Sequence, residues 1–326
     1  MDQKNTLEVN DLCTSFFTER GEVQAVNHVS LKVPRGKIVG IVGESGCGKS
    51  MTARSVLRLI QYPGRITGGY VKLEGRELTT LNDREMARIR GSEISMIFQE
   101  PMTSLNPVMQ VGKQITEAVQ LHRHVSRREA REEAVKMLSV VGISEPEKRF
   151  HAYPHELSGG LRQRVMIAMA MICCPKLLIA DEPTTALDVT VEAQILRLIR
   201  HLRDEQGTSV LIISHNLGVI AQLCDIVYVM YAGQIVESAD TFTLFDKPQH
   251  PYTRGLLRAV SSLQEGGDRL DTIPGAVPNL LELPEGCCFS PRCGSCMEKC
   301  RLQRPELLET EPGHHVRCHL YEGGES

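Results

Sequence analysis

The 326-residue sequence has no tryptophan, no long apolar run and little net charge, and these lacks narrow what it can do. Its longest apolar run, Val165 to Cys174, is about half of what a helix needs to cross a bilayer. The opening residues, Met-Asp-Gln-Lys-Asn, have no apolar stretch behind them of the kind a secretory signal needs. Any role at a membrane is therefore expected to depend on other chains. A formal charge of −3 supplies no general attraction to nucleic acid, so no nucleic-acid partner is expected. Internal repeats and low-complexity tracts are absent as well. What remains is ordinary globular composition, 41% hydrophobic and 24% charged, long enough for one large α/β domain and a smaller appendage.

Cysteine is the exception to this plainness. Of the eleven, Cys13, Cys47, Cys173, Cys174 and Cys224 are scattered, whereas the other six lie between Cys287 and Cys318. Without an export signal a disulfide scaffold is not expected, and such a cluster reads first as a metal site.

Short β-branched runs alternate with helical patterns over the first 240 residues, the mark of a largely parallel, helix-covered sheet. Strands are predicted at Lys37–Val42, Ile94–Phe98, Leu177–Ala180, Ser209–Ser214 and Ile226–Met230. Between Pro101 and Tyr153 the pattern is helical and polar, and the charge-dense stretch His122–Glu133 reads as a solvated helix face. After Asp240 prolines punctuate the chain, and little regular structure is predicted there outside about Thr253–Leu263.

The strongest motif is Gly43-Glu44-Ser45-Gly46-Cys47-Gly48-Lys49-Ser50, which fits G-x-x-x-x-G-K-[ST]. It follows a predicted strand and precedes a helical pattern from Met51 to Ile60, as a phosphate-binding loop must. Its glycines let backbone N–H groups converge on phosphate at a helix N-terminus. Lys49 is expected to reach the β- and γ-phosphates of ATP, and Ser50 to coordinate Mg²⁺. Cys47 reads as a small residue fitted between two glycines.

Leu177-Leu178-Ile179-Ala180-Asp181-Glu182 is an apolar strand ending in two carboxylates. Strand alternation turns neighbouring side chains to opposite faces, which allows Asp181 to serve the metal and Glu182 the attacking water. Between the two motifs, Ser158 is a good N-cap for a helix carrying Leu161, Val165, Ala168, Met169 and Ile172 on one face. That helix presents Ser158, Gly159 and Gly160 as a second anion site. One nucleotide cannot plausibly use both sites of a single chain, so two chains arranged head to tail are expected.

With these residues in place the sequence resembles the ABC transporter ATPase family. Its signature is LSGGQ, from which Leu157-Ser158-Gly159-Gly160-Leu161 departs only at Leu161. The resemblance implies a P-loop NTPase fold: a RecA-like parallel sheet core with an N-terminal antiparallel β region (1–98 and 158–240), a helical signature subdomain (99–157) and a small Cys-rich C-terminal region (241–326). It also implies roles. Gln99 becomes the glutamine that touches Mg²⁺ and senses the membrane subunits, and Ala186-Leu187-Asp188 the loop that crosses the dimer interface. His215 becomes the switch histidine at the γ-phosphate, followed by Asn216 where the family often has Asp. Phe16, with Phe17 as competitor, becomes the aromatic that stacks on adenine.

Three further segments are similar to the dipeptide/oligopeptide importer branch, which also includes nickel importers. They are Gln99-Glu100-Pro101-Met102-Thr103-Ser104-Leu105-Asn106-Pro107, His250-Pro251-Tyr252-Thr253, and Gly286-Cys287 with Pro291-Arg292-Cys293. The likeness implies an ATP-hydrolysing subunit on the cytoplasmic face of a membrane. Its partners would be a second related ATPase, two permease subunits and an external substrate-binding protein. Glu182 and His215 argue against a non-hydrolysing subunit. One phosphate loop, without a long heptad stretch, argues against a soluble ATPase that remodels nucleic acid.

Spacing alone favours zinc in the C-terminal region, through Cys293-x-x-Cys296 with His314, His315 and His319 nearby. The resemblance instead implies a [4Fe–4S] cluster on Cys287, Cys293, Cys300 and Cys318, with Cys288 and Cys296 as extras. Because the phosphate loop is far away in sequence, nucleotide binding is expected not to depend on these cysteines.

Overall fold

The computed structural model describes residues 4–100, 104–185, 187–264 and 273–322. The chain divides into two compact units: Met1–Thr6, Val33–Lys37 and Thr80–Ile212 form the first, and Leu7–Lys32, Ile38–Thr79 and Ile213–Ser326 the second.

In the first unit the strands Ile94–Ile97 and Leu177–Asp181 pair in parallel, with Ile94 opposite Leu177 and Ile97 opposite Ala180. Ser209–Ser214 flanks Leu177–Asp181 on its other side. Every residue of Leu177–Asp181 and of Ser209–Ser214 is buried, which is why both segments read as nearly continuous apolar runs. The helices Val111–His122 and Arg127–Val140 bury Ile115, Val119, Ala134 and Leu138. Gly112 is needed for this packing, since a Cβ there would lie 2.3 Å from the Phe150 ring. Ser126 and Glu129 form a reciprocal capping box at the start of the second helix. The charged stretch is solvated as expected, with surface pairs Arg123–Glu133 and Arg131–Glu147.

The second unit carries a four-stranded sheet in the order Gly21–Pro34, Asn5–Thr18, Gly64–Leu73, Arg76–Glu77. Its pairings at Asn5–Thr18 with Gly64–Leu73, and at Gly64–Leu73 with Arg76–Glu77, are antiparallel. Beside it, Ile38–Val42 pairs in parallel with Ile226–Tyr231, which turns back through Ala232 and Gly233 into Gln234–Asp240. Both turn residues have positive φ, 44° and 84°, as a two-residue hairpin turn of matching twist requires.

The helix after the phosphate loop is Lys49–Val56, shorter than the predicted Met51–Ile60. Arg58 adopts a left-handed φ of 52°, Arg58 N–H bonds Ser55 C=O, and Leu59 N–H bonds Arg54 C=O. That pair of bonds is a Schellman stop, built here on arginine where glycine is usual.

The C-terminal region holds more regular structure than its prolines suggest. Beyond the helix Pro251–Gln264 it contributes the strands Leu308–Glu311 and His314–Val316, and the latter pairs antiparallel with Gln234–Asp240. The fully buried Glu237 ties this addition in place. Its carboxylate accepts from Gln249 N–H at 2.7 Å and His250 N–H at 2.8 Å, and pairs with His314 Nε2 at 2.8 Å. A buried carboxylate needs such partners, since leaving it unpaired costs several kcal/mol.

Candidate functional site

The phosphate loop lies in the second unit and is built by steric demand. Gly43, Gly46 and Gly48 have φ of 153°, 78° and 105°. A Cβ on Gly43 would fall 2.1 Å from the Met230 carbonyl oxygen, and one on Gly48 2.3 Å from that of Ala25. Lys49 is 5% exposed, and its Nζ donates to Gly43 O at 2.8 Å and Glu44 O at 2.9 Å. Ser45 and Gly46 stand exposed at the tip, and Ser50 is half-buried. Cys47 is fully buried beneath the loop, and burial pushes its thiol above the ordinary range. That is the chemistry of a packing residue rather than a reactive one.

Three more expected residues lie in this unit. His215 is exposed immediately after Ser209–Ser214. Asn216 accepts from Gly218 N–H and Val219 N–H, so it caps the next helix as an aspartate would. Phe16 is half-buried, against Gly64, where a Cβ would meet the ring at 2.5 Å. Phe17 is exposed, with the Arg65 guanidinium 4.4 Å above its ring.

The first unit holds the carboxylates. Asp181 is 2% exposed at the end of its strand. Glu182 lies beyond the strand, with a left-handed φ of 47° that non-glycine residues rarely adopt. A backbone turn, rather than strand alternation, therefore separates the two acids. Glu182 Oε2 accepts from Gln99 Nε2 at 2.8 Å and from Thr185 Oγ1 at 2.9 Å, so the expected glutamine and the expected hydrolytic acid meet.

Ser158 caps the signature helix, Gly159–Met171, by accepting from Leu161 N–H at 3.4 Å. Ser158 and Gly159 are exposed, while Gly160 packs so closely on Val191 that a Cβ would sit 2.9 Å from it. The rest of this helix is buried on more than the one face read from the sequence, Met166, Ile167 and Met171 included. Gln163, which the motif reading passed over, donates Nε2 to the Pro183 carbonyl at 2.6 Å. It thereby ties the signature helix to the turn carrying Glu182. Asp188 is exposed and caps the helix Val189–Gln206 through Val191 N–H at 2.9 Å. Ala186 and Pro101–Thr103 lie outside the described residues.

The cysteines form a third locus, in the second unit. Cys300 and Cys318 are buried, Cys287 and Cys293 half-buried, and Cys287 N–H donates to Cys300 C=O at 2.8 Å. Burial, with the charges of Cys288, Cys300 and Cys318 adding to it, pushes the Cys287 thiol up to about 12. Burial likewise raises Cys318, and Cys293 and Cys300 act on it in the same direction. Among the described residues no three His, Cys, Asp or Glu side chains are arranged to hold a single metal ion. His314 is committed to Glu237, and His319 to Glu322 and the Gln303 carbonyl.

The ABC transporter family profile matches residues 26–185, and that of the oligopeptide/dipeptide transporter C-terminal region matches residues 236–300. The chain is similar to the oligopeptide transport ATP-binding protein AppD of Bacillus subtilis, 50% identical over 97% of each chain. It is also similar to the oligopeptide transport ATP-binding protein OppD of Salmonella typhimurium, 52% identical over 96% of this chain and 92% of that one. Among solved structures it resembles the ATP-binding cassette MJ0796, a dimer in a post-hydrolysis state bound to ADP and Pi. The TM-score is 0.66 at 25% identity, over 72% of this chain and 98% of that one. The chain belongs to the ABC transporter family, among its ATP-binding proteins of the oligopeptide/dipeptide type.

Proposed function

We propose that this chain is one of two ATPase subunits that power the import of dipeptides or oligopeptides. The observation that carries the hydrolytic part is the Glu182 carboxylate, held by Gln99 and Thr185 on a left-handed turn directly after Asp181. The match of residues 236–300 to the peptide-transporter C-terminal region supports the substrate class.

ATP binds at Gly43–Ser50, with Lys49 on its terminal phosphates. Ser50, Gln99 and Asp181 serve Mg²⁺, and a metal at the phosphates neutralises charge that builds up during transfer. Glu182 polarises the attacking water and His215 contacts the γ-phosphate. Phe16 takes the adenine, since an arginine already covers the ring of Phe17. The exposed Ser158–Gly160 terminus and Asp188 meet the partner ATPase, whose own signature helix completes the site of this chain. Two permease subunits hold the pair at the cytoplasmic face of the membrane, fed by an external binding protein. No described helix is long and apolar enough to cross a membrane by itself.

At the C-terminus we favour a [4Fe–4S] cluster on Cys287, Cys293, Cys300 and Cys318. Four thiolates are the usual ligand set of such a cluster, and two of the three candidate nitrogen donors for zinc, His314 and His319, are engaged elsewhere. Such a cluster would staple a proline-rich segment with little core of its own.

Glu182→Gln tests the hydrolytic assignment in the assembled complex. ATP binding is expected to persist while turnover falls by about a hundredfold or more, in line with loss of a group acting in the transition state. Lys49→Ala is expected to weaken ATP binding itself. Wild-type turnover by Glu182→Gln would remove Glu182 from the reaction.

A further inference from the structure

Two segments that mark the peptide-transporter branch, His250–Thr253 and Pro291–Cys293, hold residues that have so far carried no role, Tyr252 and Arg292. Both converge on one residue of the phosphate loop, Glu44. A carboxylate is an odd occupant of a loop that must receive several phosphate charges, because like charges at short range repel strongly. Arg292 answers it with a two-pronged pair, Nη1 to Oε2 at 2.6 Å and Nη2 to Oε1 at 3.0 Å. The arginine side chain is only 4% exposed. It is held by the Pro274 and Ile273 carbonyls, at 2.9 and 3.2 Å, and by Tyr231 Oη at 3.4 Å.

Tyr252 supplies the second hold. It is fully buried, and its Oη accepts from Glu44 N–H at 2.8 Å. Its ring lies 4.7 Å from that of Tyr231 and 5.5 Å from that of Phe289. Tyr231 also ends the strand on whose Met230 carbonyl Gly43 rests. The shoulder of the loop is therefore wedged between that strand and the C-terminal region. A planar guanidinium fork fixes a carboxylate in direction as well as charge, which lysine cannot do.

We propose that Arg292 and Tyr252 are positioning residues for the phosphate loop, through which the C-terminal region sets the affinity for nucleotide. Arg292 cancels and orients the Glu44 carboxylate, and Tyr252 fixes the Glu44 backbone. The inference rests on ATP binding at Gly43–Ser50. It also revises the expectation, drawn from sequence distance, that nucleotide binding is independent of the cysteine region.

The test is titration of the full-length chain with ATP and Mg²⁺, after melting curves confirm that each variant folds. Arg292→Ala is expected to raise the Kd for ATP roughly tenfold by exposing the phosphates to an uncancelled carboxylate. Adding Glu44→Gln to Arg292→Ala is expected to recover at least half of that loss, because the unpaired charge is gone. A purely structural role for the ion pair gives no such rescue, since the double variant lacks the pair as well. If Arg292→Ala does not fold, Arg292→Lys and Tyr252→Phe carry the test. The first keeps charge without the fork and the second removes one acceptor, and each is expected to weaken binding severalfold. In the assembled complex KM for ATP should move more than kcat. Wild-type affinity in these variants, or no rescue by Glu44→Gln, overturns the inference, provided Lys49→Ala still weakens ATP. ATP binding that ignores Lys49→Ala overturns the nucleotide assignment beneath it.

Discussion

The phosphate loop and the signature helix both present backbone N–H groups at a helix N-terminus, but the chain treats them in opposite ways. The loop is locked from within. Its glycines fit against the Met230 and Ala25 carbonyls, Lys49 is turned onto Gly43 and Glu44, and Arg292 and Tyr252 grip Glu44. At the signature helix, Ser158 and Gly159 are exposed, and only Gly160 is packed, on Val191. Asp188 and Val189 are exposed in the same manner, Val189 at 82%. A site fixed by its own chain is preorganised for a ligand that this chain binds. A helix end left open is accessible to a group brought by another molecule, as the proposed two-chain clamp requires.

The contrast can be broken first where it is tightest. Gly48→Ala places a Cβ against the Ala25 carbonyl at a φ of 105°, so the loop must shift as a whole. ATP affinity is expected to drop by about a hundredfold or more. Near-normal ATP binding in a direct titration would mean that the loop does not depend on this fit. A smaller effect is expected at the cysteine region. Cys293→Ser should remove iron and sulfide from anaerobically purified protein and weaken ATP by less than Arg292→Ala does, because it disturbs the neighbour of Arg292 and leaves the ion pair in place. Cys296→Ser should retain iron. Iron retained in Cys293→Ser would take that residue out of the ligand set, and stoichiometric zinc in the wild type would replace the cluster.

Much of this was readable in the sequence. The five predicted strands occur within a residue or so of their observed ends, because buried strands announce themselves as short, bounded apolar runs. The phosphate loop, the paired acids and the Ser158 cap are local patterns, and each was legible for that reason. The failures arose where a usual local cue was missing or where the partner lay far off in sequence. The helix stop at Arg58 lacked its usual glycine. The strands Leu308–Glu311 and His314–Val316 are short and polar, and they exist only because Gln234–Asp240 offers an edge. Tyr252 and Arg292 lie 208 and 248 residues from the loop they hold, so no window of sequence could join them to it. Glu182 was assigned by its neighbour and not by its geometry. The left-handed turn, and the bonds to Gln99 and Thr185, appear only in three dimensions.

The most direct test of the central claim is ATP turnover measured against chain concentration and composition. The isolated chain, dilute and shown to be monomeric, is expected to bind ATP yet hydrolyse it slowly. Turnover should rise steeply when the partner ATPase and permeases are added, because the exposed Ser158–Gly160 terminus of a facing chain then completes the site. Full turnover per chain from the proven monomer, unchanged by dilution or by partners, would contradict it.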